Sequence, residues 1–422
     1  FHNNIKNLLN MAQNYLPTYI PNTEVKAIIA PHAGISHSGL AAASAYCSLL
    51  PNKPGQSNQP NQLNQNIKKV IILSTFHRGN GIFIPDIEYM LNCGTRLHIY
   101  RAGIEKLKNH QGVLSKSNKS NKLNNPINIV SNNGNSEYIK SMKNEHSLPM
   151  QLVFLQNCLK KDVLYLPLYV GHLDDKDIPF IAKILNGLDD PNTLWVTNSD
   201  FVHTSVSKIG ANYNYIMENE NISNEIANIV SSFAREILTP SITSLGNLTK
   251  HNTEFTKDGS TPGICGLNAL KLWCSMLLSH TLQGTISSYY TSYHTHTIPE
   301  LKLDYLIKES GRNKLNQIDL NHSFYTHITR RFDKYDLKEN NSVSYLGAVY
   351  TSRNYANSRP LDKLLSQYEK ADLISLVKRS LEHYTKKENS NINRGTFDYK
   401  MKPVFSPNYH YKKGVFVTLK KE

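Results

Sequence analysis

The sequence predicts an α/β protein with a central parallel or mixed sheet that carries helices on both faces. Short apolar runs of strand length alternate with stretches of helical length along the first 350 residues. Histidine, aspartate and cysteine side chains stand near the ends of several of these runs, where open α/β sheets collect their binding residues. At 422 residues the chain is long enough for one large domain and a smaller one.

The first predicted elements form a β-turn-α unit followed by a second strand. Residues 25–30 (VKAIIA) are an apolar run of strand length, and the alanine-rich residues 39–50 predict a helix that ends before a proline. Residues 69–74 (KVIILS) predict a second strand that leads to His77. The Gln, Asn and Pro-rich residues 52–66 between them are typical of a polar insertion.

The alternation continues towards residue 350, and two further polar stretches interrupt it. We expect these stretches, residues 111–135 and 287–341, to be insertions. The remaining predicted strands are residues 163–171, 192–199 and 343–350, and the predicted helices are residues 147–159, 177–188, 223–238 and 267–279.

Charge and cysteine content narrow the function classes. The net charge is +14, of which +8 lies from residue 351 onward, where 15 Lys and Arg stand against 7 Asp and Glu. No nucleic-acid recognition motif accompanies this charge, so nucleic-acid binding is not expected. Five scattered cysteines predict free thiols in a reducing compartment and a cytoplasmic protein. No apolar run is long enough for a membrane span, and no signal peptide is expected from these residues. The chain begins with Phe1 and not with Met, so a targeting segment lost ahead of it is the alternative.

The most informative stretch is residues 29–39 (IAPHAGISHSG), which places an imidazole between an apolar strand and a glycine turn. Pro31 keeps the preceding residue extended, and Gly34 allows a tight turn, so the ring of His32 would point into a crevice. A buried histidine bonded to backbone is the alternative. His77 stands in a similar position after the second strand.

Cys265 lies between two glycines where an apolar helix begins. The positive end of that helix would favour its thiolate, although an inert buried cysteine is the alternative. Asp200 and His203 follow another strand, and a helical turn there would bring both into one cleft as acid, base or orienting groups. Asp200 could instead cap a helix. His146 is a further candidate proton donor.

Seven short motifs occur in the same order as in one known family, and together they cover most of residues 1–350. They are APHAG at 30–34, the strand ending in His77, EHS at 145–147, LPLYVG at 166–171, NSDFVH at 198–203, ICG at 264–266 and SVSYLGA at 342–348. This series resembles the Memo family, whose fold is similar to that of the class III extradiol dioxygenases, which are non-heme iron enzymes. The resemblance implies metal coordination by His32, His77 and Cys265, with Asp200 and His203 lining the same cleft.

This ligand set would leave a coordination position open, as catalytic metal sites require. A thiolate with two imidazoles suits iron or copper, and zinc would also fit. The sequence departs from the family at Pro149, where the family carries an acidic residue, and at Leu267 and Asn268, where it carries a basic pair. The family's Ala-Gly-aromatic segment would precede Phe1.

The last segment carries a second resemblance. Residues 373–384 (LISLVKRSLEHY) predict a helix and residues 412–421 (KKGVFVTLKK) predict a strand. Their order is similar to the opening of the AMMECR domain, whose Arg-Gly-Cys signature would follow residue 422. We therefore expect residues 360–422 to be the start of a small α+β module.

Two functional hypotheses follow. The first is a metalloprotein with iron or copper redox activity towards oxygen or a small molecule, in which Asp200, His203 and His146 handle protons. The alternative is a non-enzymatic adaptor that binds phosphopeptides in the same cleft, because Memo relatives are implicated in cell-motility signalling and the chain is basic.

Overall fold

The computed structural model describes residues 2–15, 24–50, 66–117, 126–131, 137–205, 215–216, 222–254, 263–280, 282–292 and 342–352. The chain divides into two units, Phe1–Arg353 and Asn354–Glu422, and all described residues belong to the first. The predicted module at residues 360–422 therefore lies outside the described residues, as does most of the predicted insertion at 52–66.

A ten-stranded mixed sheet forms the centre of the described part of the first unit. The strands of the unit are β1 (Val25–Ala30), β2 (Lys69–Asn80), β3 (Ile82–Asp86), β4 (Tyr89–Asn92), β5 (Thr95–His98), β6 (Ile127–Ser131), β7 (Leu164–His172), β8 (Thr193–Asn198), β9 (His203–Ser205), β10 (Tyr215–Ile216), β11 (Leu282–Thr291) and β12 (Ser342–Ser352). The sheet order is β10-β9-β12-β1-β8-β2-β7-β3-β6, β11 also pairs with β12, and β4 and β5 form a separate hairpin.

The middle of the sheet is parallel. Strands β1, β8, β2 and β7 are neighbours in that order and run in one direction. Antiparallel pairs flank them, since β12 pairs with β1 and β3 pairs with β7. Val70 to Leu73 of β2 are all fully buried, which requires cover on both faces of the sheet. The predicted α/β class with a mixed central sheet is confirmed.

Two groups of helices provide this cover. Helices α1, α2 and α5 pack together and against β1, β2 and β12, whereas α6 to α9 pack together, with α9 against β2, β7 and β8. Among the described residues no helix is long and apolar enough to cross a membrane. The helices are α1 (His2–Tyr15), α2 (Ile35–Tyr46, continued by a 3-10 turn at Cys47–Leu49), α3 (Arg101–Ser117), α4 (Glu137–Lys143), α5 (Ser147–Cys158), α6 (Ile178–Asn186), α7 (Ile222–Leu238), α8 (Ser244–Glu254) and α9 (Leu267–Leu277).

Helix α9 is anchored by an aromatic cluster. Trp273, which is 1% exposed, meets Tyr350 of β12 edge to face with ring centroids 5.3 Å apart. Its ring also lies 6.4 Å from that of Trp195 in β8. Burial of such a side chain is worth about 3–5 kcal/mol relative to alanine. This packing holds helix α9 against the sheet.

The predicted insertions were partly wrong. Strand β6 lies inside residues 111–135 and pairs with β3, although its surroundings in the sequence are polar. Strand β11 overlaps the start of residues 287–341, and its Ser288 and Tyr290 are buried. These polar groups are tolerated in the core because the hydroxyl groups bond to α2: Ser44 Oγ lies 2.7 Å from Ser288 Oγ, and Tyr290 donates to the His37 carbonyl.

Candidate metal centre

The candidate residues meet at the carboxyl ends of the parallel strands. His32 follows β1 by two residues, Asp200 follows β8 by two residues, and these strands are paired in parallel. His77 lies in the irregular last part of β2, beyond Thr75, where its pairing with β7 shifts register. The sequence placed His77 after this strand, which was wrong because β2 continues to Asn80.

A buried carboxylate holds the turn that carries His32. Asp200 is 4% exposed, and its Oδ1 accepts the backbone N–H groups of His32 at 2.8 Å and Ala33 at 3.2 Å. The alternative role of Asp200 as a helix cap is therefore wrong, because it caps the turn after β1. Its other oxygen, Oδ2, lies 3.9 Å from Nε2 of the His32 ring.

The hydrogen bonds of Asn198 determine which nitrogen of His32 carries the proton. Asn198 Oδ1 accepts the Thr75 backbone N–H at 3.1 Å, while its Nδ2 lies 3.0 Å from Ser74 Oγ. An oxygen thus faces His32 Nδ1 at 2.8 Å, so Nδ1 must donate and Nε2 keeps its lone pair. Burial lowers the pKa of His32 to about 4, although Asp200 acts in the opposite direction. The ring is neutral at pH 7, which is the form that binds metals.

His77 is oriented by a carboxylate that was not among the predicted site residues. Glu145 is 6% exposed and accepts the His77 backbone N–H at 3.0 Å, His77 Nδ1 at 3.0 Å and the Ser147 backbone N–H at 3.1 Å. Burial alone would raise the pKa of Glu145, but these hydrogen bonds hold it at about 2. Because a carboxylate only accepts, Nδ1 of His77 is the protonated nitrogen and Nε2 is the basic one.

The Cys265 turn is held against the end of β8. Gly263 has a φ of 69°, and the Gly266 backbone N–H donates to Ser199 Oγ at 3.0 Å. A Cβ on Gly266 would stand 2.5 Å from Ser199 Cβ, so only glycine allows this approach. Cys265 Sγ consequently lies 3.2 Å from His32 Nε2.

The expectation that Cys265 ionises easily was wrong for the metal-free protein. Burial and the negative charge of Asp200 raise the pKa of its thiol well above the usual range, and they outweigh its hydrogen bonds with the Asp200 backbone, the Ser199 side chain and the Gly266 backbone. A metal ion would therefore have to displace the thiol proton, and binding would release it.

His203 reaches the same cleft by a different backbone path from the predicted one. The segment before it is extended and pairs with the start of β12. The Phe201 N–H donates to the Ser344 carbonyl at 2.9 Å, and the Ser344 N–H donates to the Val202 carbonyl at 3.0 Å. The turn from Asp200 to His203 is therefore not helical, and both side chains reach the cleft from extended backbone. His203 Nδ1 donates to the Gly263 carbonyl, which leaves Nε2 as its basic nitrogen.

His146 stands on the solvent side of the cluster. Its side chain is 60% exposed, and its ring stacks on His77 with centroids 5.1 Å apart. It also meets His32 edge to face at 5.5 Å. A proton acceptor in this position would connect the inner imidazoles with water.

The donor atoms of the described residues form three overlapping groups, in each of which the atoms lie within 4.8 Å of one another. The first contains His32, His77 and Cys265, the second contains Asp200, His203 and Cys265, and the third contains His77, Glu145 and His146. The structure therefore brings all six predicted site residues together. The sequence reasoning missed Glu145 and Asn198, although both stand inside the quoted motifs EHS and NSDFVH.

Comparison with known protein families finds one family that part of this chain resembles. The model of the family described as Memo-like protein matches residues 117–305. This stretch of the chain is similar to that family. It contains Glu145, Asp200 and Cys265, whereas His32 and His77 precede it.

Individual Memo relatives match over a similar length. Protein MEMO1 of Homo sapiens and of Mus musculus are each 25% identical over 186 residues, and that of Xenopus laevis is 26% identical over 183 residues. Each match covers 42% of this chain and 50% of the relative, so the chain spans about half the length of the curated relatives it matches. An uncharacterized protein from Escherichia coli K12 aligns over 63% of this chain and 94% of its own, with 12% identity and a TM-score of 0.40.

Proposed function

We propose that the chain is a Memo-like metal-binding protein that holds a redox-active iron or copper ion at His32, His77 and Cys265. The observation that carries the proposal is the donor arrangement. Both imidazoles have their Nδ1 proton committed to a fixed acceptor, so both present Nε2, and the thiol lies 3.2 Å from one of these nitrogens.

The donor chemistry fits such an ion. Two neutral imidazoles and one thiolate suit iron(II), copper or zinc and leave room for a further ligand. Glu145 and Asp200 are buried carboxyl groups beside these donors, and a bound cation would offset the cost of their burial. Iron or copper bound here would supply electron transfer to oxygen or a small oxidant.

The protein's own groups would position and move protons around that ion. Asp200 Oδ2 faces the cleft, because Oδ1 is occupied by the backbone of the turn. His203 carries a basic Nε2 and His146 reaches solvent, so a proton released in the cleft has acceptors at two depths. The substrate class supported by this arrangement is oxygen or a small molecule.

We also infer a reducing, cytoplasmic environment. The described residues include all five cysteines and contain no disulfide between them, and Cys93 is exposed in the β4–β5 turn. A soft-metal site with a thiolate ligand is retained most readily where thiols stay reduced.

The test is elemental analysis of protein purified without oxygen. We expect near-stoichiometric iron or copper in the parent chain and its loss in Cys265→Ser and His77→Ala. Cys93→Ser, which removes the exposed thiol of the β4–β5 turn and none of the three donors, is the matched control and should keep the metal. Protein that stays metal-free after reconstitution would contradict the proposal. Phosphotyrosine-peptide binding at low salt by that protein would then favour the adaptor alternative.

A further inference from the structure

The three donor groups around the cleft differ in how many of their atoms are available to a cation. In the group of His77, Glu145 and His146, both carboxylate oxygens already accept hydrogen bonds from His77 and Ser147. An ion there would have to displace the proton that orients His77. We assign this group an orienting role and no ion.

The group of Asp200, His203 and Cys265 is built differently. Hydrogen bonds occupy Oδ1 of Asp200 and Nδ1 of His203, and in each case the partner is backbone. The second oxygen of Asp200, Oδ2, and the second ring nitrogen of His203, Nε2, are therefore fixed in position and take no part in these hydrogen bonds. Each of these side chains is oriented as a metal ligand usually is, by a bond from its non-ligating atom.

Cys265 belongs both to this group and to the group of His32 and His77. Its Sγ lies 3.2 Å from His32 Nε2 and 3.6 Å from the backbone carbonyl oxygen of Asp200, and it is within 4.8 Å of the donor atoms of both groups. A thiolate has several lone pairs and can bond to two metal ions at once. The sulfur thus stands where two neighbouring ions would share it.

We propose that Asp200, His203 and Cys265 form a second cation position, so that the cleft accepts two ions of the zinc, cadmium or cobalt class that share the Cys265 thiolate. This inference rests on the proposed metal binding at His32, His77 and Cys265 and extends it. When the second position is filled, Asp200 and His203 act as ligands, and His146 is left as the proton acceptor. The two negative charges of Cys265 and Asp200 offset part of the charge of two divalent ions, and Glu145 adds a third behind His77. Two-metal sites of this kind place their ions about 3.5–4 Å apart.

The experiment uses the full chain, cadmium(II) and cobalt(II). Equilibrium dialysis with elemental analysis measures the number of cadmium ions bound, and ¹¹³Cd NMR measures whether they share a ligand. We expect two equivalents, two cadmium resonances and a splitting of each by scalar coupling through the common sulfur. Cobalt(II) should give thiolate charge-transfer absorption that the second equivalent of metal still increases.

Variants separate the two positions. His203→Gln should retain one equivalent and one unsplit resonance, and His77→Gln should lose the other position. His98→Gln, which changes an exposed histidine of β5, is the control and should retain both ions. If His203→Gln fails to fold by circular dichroism, the coupling in the parent protein decides the question.

Each outcome discriminates. A single equivalent that is lost in His77→Gln and kept in His203→Gln overturns the second position while the proposed function stands. Two unsplit resonances, or two equivalents that survive His203→Gln, place the second ion elsewhere and also overturn it. A protein that binds no cadmium or cobalt contradicts the proposed function itself.

Discussion

His32 and His77 offer the same ring nitrogen to the cleft, but the structure holds them in different ways. His32 is 1% exposed, and its Nδ1 donates a hydrogen bond to the neutral amide of Asn198, which also accepts the backbone N–H of Thr75. The side chain of His77 is 21% exposed and leans on a carboxylate, Glu145. One imidazole is thus part of the core, and the other is partly exposed and has a charged partner behind it.

Because of this difference, we expect His32 to affect both folding stability and metal binding, and His77 to affect mainly metal binding. The core-bound ring of His32 should support folding as well as metal binding, because its removal leaves buried partners without a hydrogen bond. His77 should act mainly on the metal, because the carboxylate behind it increases the basicity of the ring.

Alanine substitution of the two histidines should have the largest effect on metal affinity. His32→Ala and His77→Ala should each weaken metal binding on the order of a hundred- to a thousandfold, since the ligands of a four-ligand zinc site share about 10–16 kcal/mol. Only His32→Ala should also lower the free energy of unfolding of the metal-free protein, by about 2–3 kcal/mol, because Asn198 loses a buried partner. Metal titration and urea unfolding measure the two effects. Equal losses of stability would remove the distinction.

The loss of folding stability at low pH should also distinguish His32 from His77. The pKa of His32 is about 4 when folded and about 6.5 when unfolded, so below pH 6.5 the unfolded chain binds a proton that the folded chain rejects. The stability contribution is complete above pH 6.5 and is lost as the pH falls to about 4, by about 3 kcal/mol. Urea unfolding of the metal-free protein across this range should show a shallower decline in His32→Gln. An unchanged slope would show that His32 is not the group responsible.

The support of His77 can be weakened without removing the ligand. Glu145→Gln keeps the size of the side chain but removes its charge, so metal affinity should fall about 10–100-fold. Glu137→Gln, on the exposed side of α4, is the matched control and should have no effect. Isothermal titration with zinc measures both affinities. An unchanged affinity in Glu145→Gln would mean that the carboxylate only positions the ring.

His146 should give the smallest effect. It is exposed, and its contacts with the other two rings are stacking and edge-to-face contacts. His146→Ala should change the free energy of unfolding by less than about 0.5 kcal/mol and leave the metal content unchanged. Thermal unfolding and elemental analysis measure these two quantities. A loss of metal would show that the exposed ring is a ligand.

Much of the fold could be predicted because its signals are local. The apolar runs at 25–30 and 192–199 became β1 and β8 almost without change, and their parallel pairing follows from the alternation with helices. The edges of the sheet could not be predicted in this way. Strand β11 reads as polar because Ser287 and Ser288 are paired with Ser44, which is 243 residues or more away along the chain.

The residues of the candidate site likewise fall into those that local sequence signals predict and those whose roles depend on distant contacts. His32 could be found from its strand, proline and glycine, and the Memo resemblance added the thiol of Cys265. Glu145 and Asn198 could not be assigned, because their roles depend on hydrogen bonds to residues 68 and 166 positions away. The ionisation of Cys265 was judged from the helix start alone, and burial against Asp200 is a tertiary property.

The distance of Cys265 from its partners along the chain sets an order of events during synthesis. The sulfur is 233 residues from His32, and the ribosome releases both imidazoles long before the thiol. Gly266 must then seat against Ser199 before the sulfur reaches its position. A nascent or truncated chain therefore carries an unfinished site. A metal ion held by all three donors would therefore require that synthesis has passed helix α9 and that the Cys265 turn has packed against Ser199.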